Sequence, residues 1–334
     1  MTVDGVVARI RPADAAAAEA ARSALDAKTK PRGSLGRLEE LAVRVAAIRR
    51  RPLPLRAVIV VAAADHGVAE EGVSAYPQVV TAQMLANFER GGAAVSVLAR
   101  SAGTSVHVVD VGVGRPTANI ANGPAMPRGD AERLVVDGAG LAGTLAADGF
   151  GLVGLGEMGI ANTTSASALA AALLPAEPLA VCGRGTGLDD AGVRRKVGVV
   201  ERALAANGVE VADPLGVLAA LGGSEIAFLV GLALGAAAER LVVLLDGFIS
   251  SVAGLIAVAL APDARDAMVA AHLSPEPGHA LVLEALGLEP LLRLGLRLGE
   301  GSGAALALPL VQAALAILDE MATFESAGVA DAGR

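Results

Sequence analysis

The chain has 334 residues, 54% of them hydrophobic but only 2% aromatic, and its 35 Asp and Glu outnumber 27 Lys and Arg for a formal charge of −8. That balance excludes a non-specific nucleic-acid surface, which needs a basic face to displace counterions. Cys182 is the single cysteine, so an intrachain disulfide and a cysteine-based structural zinc site are excluded too. What remains is a protein whose partners are small molecules or other chains, with a core of closely packed Ala, Val and Leu.

Residues 1–15 carry Asp4, Arg9, Arg11 and Asp14 among their apolar positions and so lack the uninterrupted run of a secretory signal. With the lone cysteine, this points to the cytoplasm. The segment 14–50 reads as two helices around the polar break 28–36. Short β-branched or apolar runs then alternate with longer Ala/Leu-rich segments, the signature of βα units building a parallel sheet. Strands are expected at 57–63, 105–111, 151–155, 179–182, 241–245 and 267–272. Each is followed by Gly, Asp, Asn or Ser. In an open parallel sheet the carboxyl ends face the ligand crevice, so those trailing residues are the first place to look for chemistry. Residues 112–130, with Pro116, Pro124 and Pro127, read as an irregular loop. A helix is expected from about 304 to 323, packing with the N-terminal pair.

Mean hydropathy is high, at +0.57, and the segment 226–261 is where a membrane span would lie. Glu239, Arg240, Asp246 and Gly247 interrupt it, and a charge at a bilayer centre costs roughly 2.5–3.5 kcal/mol. A buried parallel strand between two core helices explains the same run, and no span is expected.

The densest motif is the run of residues 151–165, a strand entering a glycine turn and then a helix. Gly154, Gly156 and Gly159 match the dinucleotide fingerprint G-x-G-x-x-G. The fingerprint also wants an acidic residue closing the next strand, and Glu177 precedes that expected strand instead. An NAD-binding oxidoreductase built on the 154–159 turn is therefore the second functional reading. Asn162, Thr163 and Thr164 are good cap types opening a helix whose free amides suit a phosphate. A purely structural β-turn-α junction explains the same spacing.

A second glycine loop, 182–190, opens a helix with Asp189 or Asp190 as its cap, and Arg184, Arg194, Arg195 and Lys196 lie in or after it. These cations are either counter-charge for one phosphate or a solvated helix face. Asp65 and His66 end the first strand, but their spacing fits no known ligand motif and no metal is expected. Last, Glu300 is bracketed by glycines before a long apolar helix. Facing a dry pocket it would be a base of raised pKa; otherwise it caps the helix with Ser302.

Taken in order, Lys30-Pro-Arg-Gly-Ser-Leu-Gly-Arg-Leu-Glu39, Ala64-Asp-His-Gly67, Gly156-Glu-Met-Gly-Ile-Ala-Asn-Thr-Thr164, Gly183-Arg-Gly-Thr-Gly187, Leu245-Asp-Gly-Phe-Ile-Ser-Ser251 and Arg297-Leu-Gly-Glu-Gly-Ser-Gly303 resemble one family across nearly the whole chain. It is the nicotinate-nucleotide:dimethylbenzimidazole phosphoribosyltransferases of cobalamin lower-ligand assembly. The resemblance implies a homodimer without metal or redox cofactor, in which Glu300 is the catalytic base. It places Glu157, Met158, Gly159, Ile160, Asn162 and Thr163 around the phosphate of nicotinate mononucleotide, with Lys196, Gly185 and Asp246. Leu298, Gln83 and Ser74 would border the dimethylbenzimidazole, held between aliphatic walls of Leu and Met. The expected architecture is an open, mainly parallel six-stranded Rossmann-like sheet with helices on both faces, spanning 51–300. The small helical domain would comprise 1–50 and 301–334.

Overall fold

A computed structural model describes residues 1–49 and 55–330. Five strands form one fully parallel sheet: β1 (Arg56–Ala64), β2 (Ser105–Gly112), β3 (Phe150–Met158), β4 (Val242–Leu245) and β5 (Met268–Ala270). The strand order is β2-β1-β3-β4-β5. Residues 58–64 of β1 and all of β4 are buried, as expected of parallel strands covered on both faces.

The sixth expected strand, 179–182, is instead a one-turn helix, Pro178–Val181. Pro178 occupies its first position, where a fixed φ and a missing N–H suit a helix start. The Cys182 amide bonds back to the Pro178 carbonyl at 3.0 Å. A four-residue apolar run is short enough for one proline to decide its conformation.

Small side chains bring the covering helices close. A Cβ on Gly231, in the helix Ser224–Ala238, would lie 1.9 Å from the carbonyl oxygen of Val135 in the helix Arg128–Ala147. The apolar segment 226–261 folds as that helix, β4 and the helix Phe248–Leu260, nearly all buried. Among the described residues, the helix Ser302–Glu320 is the one long and apolar enough to cross a membrane, and its buried side includes Ala304, Leu308, Val311 and Leu315.

Both chain ends meet. The Thr29 amide donates to the Ala322 carbonyl at 3.0 Å, the Phe324 amide to Ala27 at 3.1 Å, and Lys28 Nζ to Met321 at 2.6 Å. The expected division between residues 50 and 51 falls outside the described residues. Strand order reverses at the β1/β3 pair, where a crevice opens beyond the carboxyl ends of the strands.

Candidate active site

A cleft of about 350 Å³ lies at that reversal. Its walls come from the loop after β3, the helix Val80–Glu89, residues 185–186, the start of the helix Phe248–Leu260, residues 272–276 and the turn 297–300. A larger hollow of about 770 Å³, between the N-terminal helices and β5, shares no lining residue with it and contains none of the candidate residues.

Glu300 sits in a left-handed turn, with φ +81° at Gly299, +64° at Glu300 and +86° at Gly301. A side chain at such a φ costs about 1–2 kcal/mol, so the surroundings must hold the turn in place. Asp246, just past β4, does this. Its carboxylate accepts the amides of Gly301 (3.1 Å), Gly303 (2.6 Å) and Ala304 (3.0 Å). Asp246 thereby caps the helix Ser302–Glu320, the role left open for Glu300. The Glu300 side chain is free of that duty. It is buried, its Oε2 has no hydrogen-bond partner, and burial raises its pKa against a lowering contribution from the Val95 amide.

Glu157, the penultimate residue of β3, is buried beside it. Asn162 Nδ2 donates to Glu157 Oε2 at 2.5 Å. Burial pushes Glu157 up to about 8, and the nearby charges of Glu225, Asp246 and Glu300 push the same way. Asn162, Thr163 and Thr164 do not cap the helix Asn162–Leu173. Its cap is Ala161 at φ +76°, without a side-chain cap bond. The Ile160 amide donates to Thr81 Oγ1 at 3.2 Å, tying the loop to the neighbouring helix. His66 is a buried wedge beneath this loop, with Nε2 2.7 Å from Glu225 Oε1 and Nδ1 3.2 Å from Ser165 Oγ. Among the described residues no group of three or more His, Cys, Asp or Glu is arranged to hold a metal.

Gly154 and Gly156 lie within β3. They admit Ile59, Ala304 and the Glu300 backbone against the strand and form no phosphate turn. With a helix where the next strand was expected, the NAD fingerprint has neither of its structural requirements.

Asp189 caps the helix Asp190–Asn207, accepting the Gly192 amide at 2.8 Å. Of the four cations around this loop, Arg184, Arg194 and Arg195 are exposed, whereas Lys196 is buried. Its Nζ donates to Thr163 Oγ1 at 3.0 Å and to the Gly183 carbonyl at 3.2 Å. Burial lowers its pKa, opposed by Glu276 and Cys182. The Gly185 amide donates to Glu276 Oε1 at 2.8 Å.

The cleft thus gathers Glu157, Met158, Gly159, Ile160, Asn162, Thr163, Gly185, Leu298 and Glu300. Lys196 and Asp246 do not line it; each acts on a residue or turn that does. Ser74 stands at the rim, its Oγ 3.0 Å from the hydroxyl of the lining residue Thr186. Gln83 is exposed, while Val80 and Met84 of the same helix line the wall. The sequence reading missed Tyr76, Phe248, His272, Ser274 and Glu276. Tyr76 and Phe248 line the cleft together with the aliphatic Val80, Met84 and Leu298.

Comparison with known proteins identifies the family. A phosphoribosyltransferase family model matches residues 10–329. A nicotinate-nucleotide–dimethylbenzimidazole phosphoribosyltransferase of Desulforudis audaxviator is 52% identical, over 98% of this chain and 97% of the relative. One from Azotobacter vinelandii is also 52% identical, over the full length of both. The crystal structure of CobT from Thermus thermophilus superposes with a TM-score of 0.90 at 49% identity, covering 94% of this chain and 99% of that one. The chain belongs to the nicotinate-nucleotide:dimethylbenzimidazole phosphoribosyltransferase family.

Proposed function

We propose that the protein transfers ribose 5-phosphate from nicotinate mononucleotide to 5,6-dimethylbenzimidazole, releasing nicotinate and forming α-ribazole 5′-phosphate for cobalamin nucleotide-loop assembly. The observation that carries this reading is a buried carboxylate, Glu300, with an unpartnered oxygen in a cleft that also holds a lysine-backed polar corner.

Nicotinate is attached to C1′ through a cationic pyridinium nitrogen, so it departs with the bonding pair as a neutral ring and needs no general acid. The benzimidazole is the weaker partner. One ring nitrogen attacks C1′ while the other loses its proton to Glu300, so a single carboxylate suffices as base. Attack opposite the leaving group inverts C1′ and gives the α-linked product. Charge and atoms balance without a metal or redox cofactor. Burial raises the Glu300 pKa and so makes its carboxylate a stronger base, and the turn geometry holds it in position without a conformational search.

At the other end of the donor, Lys196 and Thr163 hold the phosphate in the space left open beside Gly185, with Glu157, Met158, Gly159, Ile160 and Asn162 shaping the floor. Leu298, Met84 and Val80 clamp the flat benzimidazole, with Ser74 and Gln83 at its margin. Asp246 serves by fixing the Glu300 turn. The reading includes a cytoplasmic homodimer, and a helical unit from 1–50 and 301–334 beside the body 51–300.

Purified protein mixed with both substrates should release nicotinate and form the ribotide in equal amounts, read by chromatography. Absence of either product contradicts the proposal.

A further inference from the structure

The reaction as written leaves one carboxylate of the cleft without a task. Glu276 is nine-tenths buried and lines the cleft. Its Oε1 accepts the Gly185 amide, and its buried Oε2 has no hydrogen-bond partner. An acceptor left unpaired in a buried position is costly unless a ligand brings a donor to it.

The surroundings indicate which ligand group does so. Lys196 Nζ and Thr163 Oγ1 meet beside Gly185, where a Cβ would lie 3.0 and 2.9 Å from them; φ there is +49°. Glycine therefore leaves the corner open. These are donors suited to phosphate. Glu276, on the same corner, has only acceptor capacity, which suits the sugar hydroxyls that one methylene group ties to a 5′-phosphate.

The segment carrying Glu276 is held rigidly. His279 Nδ1 accepts the Ser274 amide at 3.0 Å, which fixes the proton on Nε2, facing Ser251 Oγ at 3.0 Å. Burial keeps His279 neutral, its pKa pushed down to about 3. Glu276 is thus fixed in the cleft wall, its free oxygen packed beside Gly183.

We propose that Glu276 binds the ribose diol of the donor through Oε2, accepting from its 2′- or 3′-hydroxyl, and so selects ribosyl over deoxyribosyl nucleotides. This rests on the cleft being the ribosyl-phosphate site. A carboxylate holding ribose hydroxyls is a recurrent solution in nucleotide sites, and a site built around a substrate hydroxyl rejects the analogue that lacks it.

The test compares kcat/KM for nicotinate mononucleotide and its 2′-deoxy and 3′-deoxy analogues in the wild type, Glu276→Gln and Glu276→Ala. The wild type should disfavour at least one deoxy donor by roughly tenfold or more. Glu276→Ala should lose roughly ten- to a hundredfold with the ribosyl donor but about threefold or less with that deoxy donor. Glu276→Gln, which keeps an acceptor for Gly185, should fall between them. The ratio between donors on one preparation does not depend on the folded fraction. An unchanged ratio in Glu276→Ala, equal loss or gain with all donors, or no discrimination by the wild type overturns the inference. No turnover of the ribosyl donor by the wild type would instead defeat the transferase reading on which it rests.

Discussion

The Cα of Gly156 on β3 lies directly beneath the carbonyl of Glu300: a Cβ at Gly156 would stand 2.5 Å from that oxygen. The central strand therefore sets the height of the Glu300 turn through a contact that only glycine permits. Gly156→Ala should lift the turn, reducing turnover more than tenfold and stability by about 1–3 kcal/mol. Steady-state kinetics beside urea unfolding check both effects.

Asp246 is the second support of that turn. Asp246→Asn puts an amide donor where three main-chain amides converge. A loss of about 2–4 kcal/mol is expected, with kcat falling at least tenfold and KM for the nucleotide donor changing little. Denaturant unfolding and initial rates measure these separately.

The acidic cluster makes stability pH-dependent. Burial first, and neighbouring carboxylates second, hold Glu157 at about 8; burial, opposed by main-chain amides, holds Asp246 at about 7. Both folded values lie above the ordinary carboxylate range, so the native state binds protons that the unfolded chain has released. Stability is then fully present below about pH 4 and declines as pH rises through 7 to 8, by on the order of a few kcal/mol. Urea unfolding of the free enzyme at pH 5, 7 and 9 should show the decline, and Glu157→Gln should flatten it.

Lys196 reaches the cleft only through Thr163 and the space beside Gly185. Lys196→Met keeps the buried stem and removes the charge. KM for nicotinate mononucleotide should rise roughly ten- to a hundredfold, while KM for dimethylbenzimidazole stays within about threefold. Initial rates with each substrate varied in turn distinguish the two.

Legibility followed the range of the interactions. The runs that became β1, β2, β3, β4 and β5 were readable because each is a local apolar stretch with a clear polar end. Glu300 was visible because glycines bracket it. Residues 179–182 misled because the apolar run outweighed the proline before it. Asn162 looked like a cap, but a buried acceptor five residues upstream, Glu157, claimed its side chain. Gln83 is exposed on a helix whose 3.6-residue period turns Val80 and Met84 towards the cleft. Glu276 and Ser274 were invisible for another reason. Their place depends on residues beyond β5 folding against the 183–185 loop, a contact across some ninety residues of chain.

The central claim is that Glu300 removes the azole proton. The most direct test is kcat of Glu300→Gln against wild type across pH, with both substrates saturating. Glutamine keeps the shape but cannot take the proton, so kcat should drop roughly 10²- to 10⁴-fold. The acid limb of the wild-type profile, where protonation of Glu300 silences the base, should vanish, and KM for nicotinate mononucleotide should stay within about threefold. A variant that keeps wild-type kcat and the same acid limb would contradict the account.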